Sequence, residues 1–440
     1  MPAWVDHAIW WHAYPLGFTG APVHGPDPEP GVRHRLARMV DWLDYVVELG
    51  CNGLLLGPVF ASATHGYDTL DHTRIDERLG DEGDWDALVA AARARGVRLV
   101  LDGVFNHVGR DHPRVQAALA AGPGTEAGAW LRWSGTGEEA RPEVFEGHDQ
   151  LVVLNHDHPE VADHVAQVMT HWLDRGADGW RLDAVYAVPP AFWRAVLPRV
   201  RAAHPDVWVL GEMIHGDYAA YVEESGIDSV TQYELWKAVW SSLADVNLYE
   251  LAWALDRHRS FLEVFLPQTF VGNHDVTRIA DQVGDARHVT HALAVQLFVA
   301  GTPSVYAGDE QGFRGVKEER VGGDDAIRPE FPPTPEGLAP HGWPRYRELE
   351  RLIGLRRRHP WLVHAPGETL EVGNAHLVLG ASSPDGTEGL VLALNLGDQP
   401  WAPGVTVGDV VLRSGDPGAH VPDGVVAPHA WAVWRAQPAR

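Results

Sequence analysis

Short apolar runs alternate with longer segments of helical periodicity from the N-terminus to about residue 358, and this alternation limits the possible folds most strongly. Strand and helix signals in alternation are typical of βαβ units around a parallel sheet. Eight such runs predict a (β/α)8 barrel with insertions, and a doubly wound open sheet is the competing α/β architecture. The predicted strands cover residues 8–14, 53–59, 97–102, 179–182, 207–211, 229–231, 269–271 and 304–306.

The regions between and after these runs predict the domain organisation. Helical spacing covers residues 33–49, 85–95, 159–175, 191–203 and 287–299. A long polar, Gly-rich connection follows the third run, and the chain beyond Pro360 changes to short β-type runs parted by Gly, Pro and Asp. We therefore predict a barrel over residues 1–107 and 159–358, a short inserted domain over 108–158, and a C-terminal antiparallel β domain over 359–440.

Composition excludes several classes of function. The 440 residues carry a formal charge of −25 at pH 7, which disfavours nucleic acid and anionic membranes as partners. The chain has no apolar run of the roughly 18 residues that a membrane span needs. Cys51 is the only cysteine, so no intrachain disulfide can form. A cytoplasmic protein is the expectation.

Acidic and polar residues follow four of the predicted strands, where a barrel builds its active site. Arg181 and Asp183 are two residues apart, so both side chains point to the same face of their strand. Buried charges must pair or be solvated, and crowded carboxylates move one another's pKa values apart. The four segments are Asp102-Gly-Val-Phe-Asn106-His107, Gly179-Trp-Arg181-Leu-Asp183, Gly211-Glu212 and Phe270-Val-Gly-Asn273-His274-Asp275.

A glycoside hydrolase uses one protonated and one ionised carboxyl group in a single cleft. In a retaining enzyme the two lie about 5–5.5 Å apart, one as nucleophile and one as acid/base. Asp183 and Glu212 end successive predicted strands, which suits this pair. Taken singly, either carboxylate is as compatible with a salt bridge; four clusters in order on strand ends favour chemistry.

These segments resemble the signature regions of the α-amylase family of glycoside hydrolases, glycoside hydrolase family 13. The likeness covers DGVFNH, GWRLDAV, the Gly-Glu after an apolar strand, FVGNHD, and the segments LNHDHPEV and GYDTLD. It implies a (β/α)8 barrel with an insertion after the third strand and a C-terminal antiparallel β domain.

The resemblance also implies roles for individual residues. Asp183 would be the nucleophile, Glu212 the acid/base and Asp275 the third catalytic carboxylate, which binds sugar hydroxyls. Substrate would be bound by Tyr67, which stacks under the reacting sugar, and by Arg181, His107 and His274. Asp102 would support Arg181 structurally.

Two positions bear on cofactors and on the mode of cleavage. Asn106 matches a calcium ligand of the family, but one side chain does not establish a site that needs six to eight oxygens, so no cofactor is expected to be required and calcium is left open. Arg328, in DAIRPEF, resembles an arginine of exo-acting α-glucosidases that pairs with the aspartate of the Gly-Tyr-Asp loop, here Asp68. A plain salt bridge in a loop is the competing explanation.

We therefore expect a retaining α-glycosidase that acts on maltooligosaccharides or short α-glucosides through a glycosyl-Asp183 intermediate, with exo-action. The partner would be a small carbohydrate. Three alternatives stay open: a transglycosylase or isomerase acting on sucrose, trehalose or maltose, an endo-acting α-amylase, and a catalytically inactive carbohydrate-binding member.

Overall fold

Eight parallel strands form a barrel in the structure, a computed structural model that describes residues 1–25, 27, 31–415 and 421–437. The sheet runs in the order β6-β5-β4-β3-β2-β1-β8-β7, and a parallel bridge between Thr231 and Gln268 joins its two end strands. This confirms the predicted (β/α)8 barrel. The strands are β1 Trp10–Ala13, β2 Gly53–Leu56, β3 Arg98–Gly103, β4 Gly179–Leu182, β5 Trp208–Gly211, β6 Ser229–Val230, β7 Gln268–Phe270 and β8 Thr302–Tyr306.

Helices surround the barrel and connect its strands. Local sequence determines their ends: Asp81 accepts from the backbone N–H groups of Gly83 and Asp84, and the Asp84 side chain accepts from the Asp81 N–H, which completes a capping box. The α-helices in the described residues are α1 Pro15–Phe18, α2 Ala37–Asp41, α3 Leu43–Leu49, α4 Glu82–Ala94, α5 Pro113–Ala121, α6 Pro159–Asp174, α7 Pro190–Ala203, α8 Tyr218–Ser225, α9 Tyr233–Ala244, α10 Tyr249–Phe261, α11 Ile279–Gln282, α12 Val289–Phe298 and α13 Trp343–Arg358.

Stacked tryptophans fill the end of the barrel away from the carboxylates. Trp10 and Trp208 lie face to face with ring centroids 5.0 Å apart, and both are fully buried. Large aromatic rings contribute much of the apolar area that a core buries. The opposite end of the strands is thereby left to the polar residues.

Small antiparallel hairpins extend the connections after β2 and β3. One pairs Phe60–Ser62 with Thr69–Ile75, and it carries the Gly-Tyr-Asp loop. In the connection after β3, His107–Gly109 pairs with Leu151–Val153, and Trp133–Ser134 pairs with Arg141–Pro142. These hairpins lie next to the predicted site residues.

A separate five-stranded antiparallel sheet follows the barrel, as predicted for the tail. Its order is β9-β10-β11-β13-β12. Among the described residues, no helix combines the length and the apolar character needed to cross a bilayer. The strands are β9 Glu368–Val372, β10 His376–Ser382, β11 Gly389–Asn395, β12 Val407–Arg413 and β13 Ala430–Ala436.

Candidate active site

The guanidinium of Arg181 lies at the centre of four carboxylates. Its Nη1 is 2.8 and 2.7 Å from the two oxygens of Asp102 and 3.2 Å from Asp183 Oδ1. Its Nη2 is 2.6 Å from Glu212 Oε1 and 3.9 Å from Asp275 Oδ2. A single buried cation therefore gathers acidic groups from four barrel strands or the loops that follow them.

The backbone of the barrel brings Asp183 and Glu212 to this cation. The Asp183 N–H donates to the Gly103 carbonyl at 3.1 Å and the Glu212 N–H to the Leu182 carbonyl at 2.8 Å, so both residues extend the parallel ladder. Ala184 has a φ of 45°, a strained conformation for a non-glycine residue, and its N–H donates to Glu212 Oε2 at 3.0 Å. The turn after Asp183 thus fixes the Glu212 carboxylate.

The environment separates the pKa values of the three candidate catalytic carboxyls. Burial and the charge of Glu212 raise the pKa of Asp183 well above its ordinary value. Burial also raises the pKa of Glu212; Arg181 opposes this shift and Asp275 adds to it. For Asp275, burial is outweighed by His274, Arg328 and Arg181, which hold its pKa well below the ordinary value. The pair of Asp183 and Glu212 can therefore retain a proton while Asp275 is ionised.

Asp275 is bound from two sides. His274 Nε2 lies 3.0 Å from Asp275 Oδ2, and Arg328 Nη2 lies 2.7 Å from Asp275 Oδ1. Arg328 also donates from Nε to the His274 carbonyl at 2.7 Å and pairs with Asp324 at 3.0 Å. These contacts hold the loops after β7 and β8 together.

Tyr67 joins the hairpin after β2 to the same group. Its hydroxyl donates to Asp102 Oδ2 at 3.0 Å and makes a short contact with His274 Nε2. The rings of Tyr67 and His274 are parallel, with centroids 5.5 Å apart. The structure thus brings together eight of the predicted residues: Tyr67, Asp102, Arg181, Asp183, Glu212, His274, Asp275 and Arg328.

His107 is placed at the edge of this group, and its ring nitrogens contact protein groups. Nε2 donates to the Tyr67 carbonyl at 3.1 Å, and Nδ1 lies 3.1 Å from Asn106 Nδ2. Phe145, from the inserted region, stacks on the His107 ring at 4.8 Å. A sugar hydroxyl would have to replace one of these partners to bind His107.

The ion pair expected between Asp68 and Arg328 is not formed, and this part of the sequence prediction is wrong. Asp68 is buried, and its carboxylate accepts from the Thr64 N–H at 3.0 Å and from the Thr64 hydroxyl at 2.5 Å. Local capping of its own loop therefore engages both oxygens. Arg328 takes Asp275 and Asp324 instead.

Three residues at the site carry no role in the sequence analysis. The Tyr233 hydroxyl donates to Glu212 Oε1 at 3.3 Å and accepts from Asn273 Nδ2 at 2.8 Å. His12 Nε2 lies 3.1 Å from His274 Nδ1. Asn273 belongs to one of the four motif segments, and His12 lies in a predicted strand. Only the structure shows which residues they contact.

Asn106 offers one buried side-chain oxygen to a cation, and calcium binding there stays a prediction. Its Oδ1 is buried and has no hydrogen-bond partner, but calcium needs six to eight oxygens. Among the described residues, groups of three or more His, Cys, Asp or Glu that could share one ion do not include a neighbour of Asn106. Those groups are Asp285 with His288 and His429, and His34 with Asp81 and Asp84.

Comparison with known proteins places these residues in a family context. Residues 35–333 match the family described as the α-amylase catalytic domain. A cyclomaltodextrinase of Geobacillus thermopakistaniensis (strain MAS1) is 31% identical over 421 residues, which cover 90% of this chain and 69% of that protein. An intracellular maltogenic amylase of Bacillus subtilis is 28% identical over 345 residues, which cover 72% of this chain and 57% of that enzyme.

A solved structure shows the same fold over the whole chain. The cyclic α-maltosyl-(1→6)-maltose hydrolase from Arthrobacter globiformis, in complex with cyclic α-maltosyl-(1→6)-maltose, superposes with a TM-score of 0.80. It is 23% identical and covers 99% of both chains. At this identity the likeness is one of architecture.

Proposed function

The chain belongs to the α-amylase family of glycoside hydrolases, and on that premise we propose that it hydrolyses α-glucosidic bonds of short maltooligosaccharides with retention of configuration. The observation that carries the proposal is the shared cation: Asp183 and Glu212 both bind the guanidinium of Arg181, at 3.2 and 2.6 Å. A double displacement requires two carboxyl groups about 5–5.5 Å apart, and the shared guanidinium keeps Asp183 and Glu212 close together.

In the first step, a carboxylate oxygen of Asp183 attacks the anomeric carbon while Glu212 gives its proton to the leaving glycosidic oxygen. The old C–O bond breaks as the glycosyl-Asp183 ester forms. In the second step, Glu212 takes a proton from water, the water oxygen attacks the same carbon, and Asp183 leaves as carboxylate. Burial raises the pKa values of both Asp183 and Glu212, so the pair can hold the proton that this step needs, and the resemblance to the family motifs assigns that proton to Glu212.

Asp275 and His274 would hold hydroxyls of the reacting sugar. Asp275 is the most accessible of these carboxylates, with 28% of its side chain exposed against 10% for Asp183. An ionised carboxylate beside the forming oxocarbenium ion stabilises it more than it stabilises the substrate, and such differential binding raises the rate.

The names of the relatives favour small α-glucans as substrates. They include a cyclomaltodextrinase and a maltogenic amylase, and both name small maltodextrins as substrate or product. The Asp68–Arg328 ion pair, on which exo-action was predicted, is not formed. Exo-action therefore stays a hypothesis, and the pattern of products tests it. A cytoplasmic location also stays within the proposal, since Cys51 is free and buried.

Product analysis tests the proposal. The protein and its Asp183→Asn variant are incubated with maltose, maltotriose, cyclomaltoheptaose, trehalose, sucrose, isomaltose and starch, with and without an added acceptor sugar. We expect hydrolysis of the maltodextrins by the wild type alone, with the α-anomer as first product in NMR. Turnover of sucrose or trehalose into a new disaccharide would favour transglycosylation or isomerisation instead. A β-anomer as first product would contradict retention.

A further inference from the structure

His12 is a buried histidine on β1 that the family signature does not explain. It is 5% exposed, and its Nε2 lies 3.1 Å from Nδ1 of His274. The two rings are nearly perpendicular, with an angle of 82° and centroids 4.9 Å apart, so the Nδ1–Nε2 contact is an edge contact. Two ring nitrogens at this distance share one proton, because one must donate and the other accept.

The other side of His274 determines where its first proton lies. Nε2 faces the Asp275 carboxylate at 3.0 Å and the Tyr67 hydroxyl. The carboxylate can only accept, and the hydroxyl proton of Tyr67 is donated to Asp102 at 3.0 Å. Nε2 of His274 must therefore carry a hydrogen, and the protonation state of His274 depends on the proton shared with His12.

We propose that His12 is a positioning residue for the glycosidase reaction: its Nε2 accepts the Nδ1–H of His274. His274 then keeps both ring hydrogens, and Nε2–H is directed at Asp275 and the sugar hydroxyls. This inference rests on the proposed function, since it assigns the orientation of a residue in that site. It makes His274 the donor, and a neutral His12 the acceptor, of the hydrogen bond between them.

The surroundings of His12 fit the neutral role. The ionisable groups that act on it are His274, Arg181, Asp275 and Arg278, of which three are cationic or can become so. Burial first, and then the charges of His274 and Arg181, hold the pKa of His12 well below its ordinary value. A second positive charge next to His274 and Arg181 would be repelled, whereas a lone pair on Nε2 is stabilised there.

The contact also orients the His274 ring mechanically. Tyr14 and Tyr67 both lie parallel to this ring, with centroids 5.9 and 5.5 Å away. Parallel neighbours fix the plane of the ring, but rotation within that plane is fixed by hydrogen bonds to its two nitrogens. His12 supplies the bond on the side away from the substrate.

Two substitutions separate the hydrogen bond from simple packing. His12→Gln retains an amide oxygen that can accept from Nδ1–H, whereas His12→Phe fills similar space without an acceptor. His291→Phe serves as the matched control, because His291 is equally buried but contacts the Asn395 carbonyl at 3.3 Å, away from the site. Thermal unfolding of each variant shows whether the fold is intact.

The first measurement is the ¹⁵N NMR spectrum of His274, which reports the hydrogen on each ring nitrogen and needs no activity. We expect a hydrogen on both ring nitrogens of His274 in the wild type and in His12→Gln. In His12→Phe, Nδ1 should lose its hydrogen, because a buried N–H without an acceptor is costly. A wild-type spectrum with Nδ1 unprotonated would overturn the proposal, whether or not the variants fold.

The second measurement is kcat and KM for an activated α-maltoside. His12→Phe should lower kcat/KM by about 10- to 100-fold, the range expected when a buried hydrogen-bonding group loses its partner. His12→Gln should restore kcat/KM. Equal losses of kcat/KM in His12→Phe and His12→Gln would assign His12 to packing alone. If the wild type cleaves no α-glucoside, the proposed function fails while the NMR result still decides the proton.

Discussion

Arg328 Nη2 lies 2.7 Å from Asp275 Oδ1 and so braces a predicted catalytic carboxylate directly. The same guanidinium donates to the carbonyl of His274 at 2.7 Å. Its loop is held in turn by Arg278 and Tyr306, which both donate to the Ile327 carbonyl. Arg328 therefore contacts a residue of the candidate reacting subsite directly.

Removing this brace should impair catalysis far more than altering Asp68. Arg328→Ala deletes a hydrogen bond between charged groups, and we expect kcat/KM to fall about 10- to 100-fold. Asp68→Asn keeps an oxygen for the Thr64 N–H and should stay within about threefold of wild type. Steady-state kinetics on a maltodextrin checks both. Equal losses of kcat/KM in the two variants would contradict this ranking.

Loss of the central cation should destabilise the protein in a pH-dependent way. Arg181→Met leaves Asp102, Asp183 and Glu212 buried without their partner, which costs about 3–5 kcal/mol. Arg181 opposes the rise in the pKa values of Asp183 and Glu212, so without this cation their folded pKa values rise further above the unfolded values. The destabilisation should therefore grow with pH, since stability is lost as pH rises through a raised folded pKa.

Urea unfolding at about pH 5 and about pH 7.5 measures this difference. Arg199→Met is the control, because the pair of Arg199 with Asp163 is on the surface, with side chains 46% and 53% exposed, and should contribute less than about 1 kcal/mol. An equal loss of stability at both pH values in Arg181→Met would contradict the account.

A second buried acid should make stability depend on pH away from the site. Burial raises the pKa of Glu310 to about 7, and its oxygens accept from Tyr45 and from the Gly308 N–H. In the unfolded chain, Glu310 ionises near pH 4.5. The stability that depends on protonated Glu310 is therefore fully present below that pH and decreases as pH rises towards 7. Glu310→Gln should remove most of this decrease, about 3 kcal/mol. Thermal unfolding from about pH 5 to about pH 8 checks this. If the Tm of the wild type and the Tm of Glu310→Gln change by the same amount over this range, Glu310 is not the source of the pH dependence.

Chelation should leave the enzyme unchanged. The buried Asn106 Oδ1 without a partner is one oxygen, and calcium binds through six to eight. We expect EDTA to alter neither activity nor Tm, and Asn106→Ala to show no change in response to added calcium. Activity that is lost on chelation and returns only with calcium would establish a site that includes backbone carbonyls.

The strands of the barrel were predictable because each is a short apolar run with a polar end. The prediction over residues 179–182 coincides with β4, and each of the other seven overlaps its strand. In the tail, the short β-type runs at residues 375–379, 390–396 and 410–412 overlap β10, β11 and β12, whereas no such run marks β9 or β13. Glu368–Val372 is partly exposed and contains two glutamates, so it is not an apolar run. Ala430–Ala436 contains three alanines, and alanine is depleted in strands.

The site was predictable where a residue's position on a strand decides its direction, and not where side chains compete for partners. Asp183 and Glu212 follow their strands, so backbone pairing alone brings them near Arg181. Asp68 had two candidate partners, and the nearby N–H and hydroxyl of Thr64 prevailed over Arg328. His12 gave no signal, because a histidine inside an apolar run shows nothing of what faces it across the barrel.

Trapping the glycosyl-Asp183 intermediate shows whether Asp183 is the nucleophile. Glu212→Gln is incubated with α-maltosyl fluoride, which needs no acid for its first step, and peptides are then sequenced by mass spectrometry. We expect a glycosyl adduct on the peptide that contains Asp183, and its absence when Asp183 is also replaced by Asn. An adduct on Asp102 or Asp275 in place of Asp183, or turnover by the double variant, would contradict this assignment.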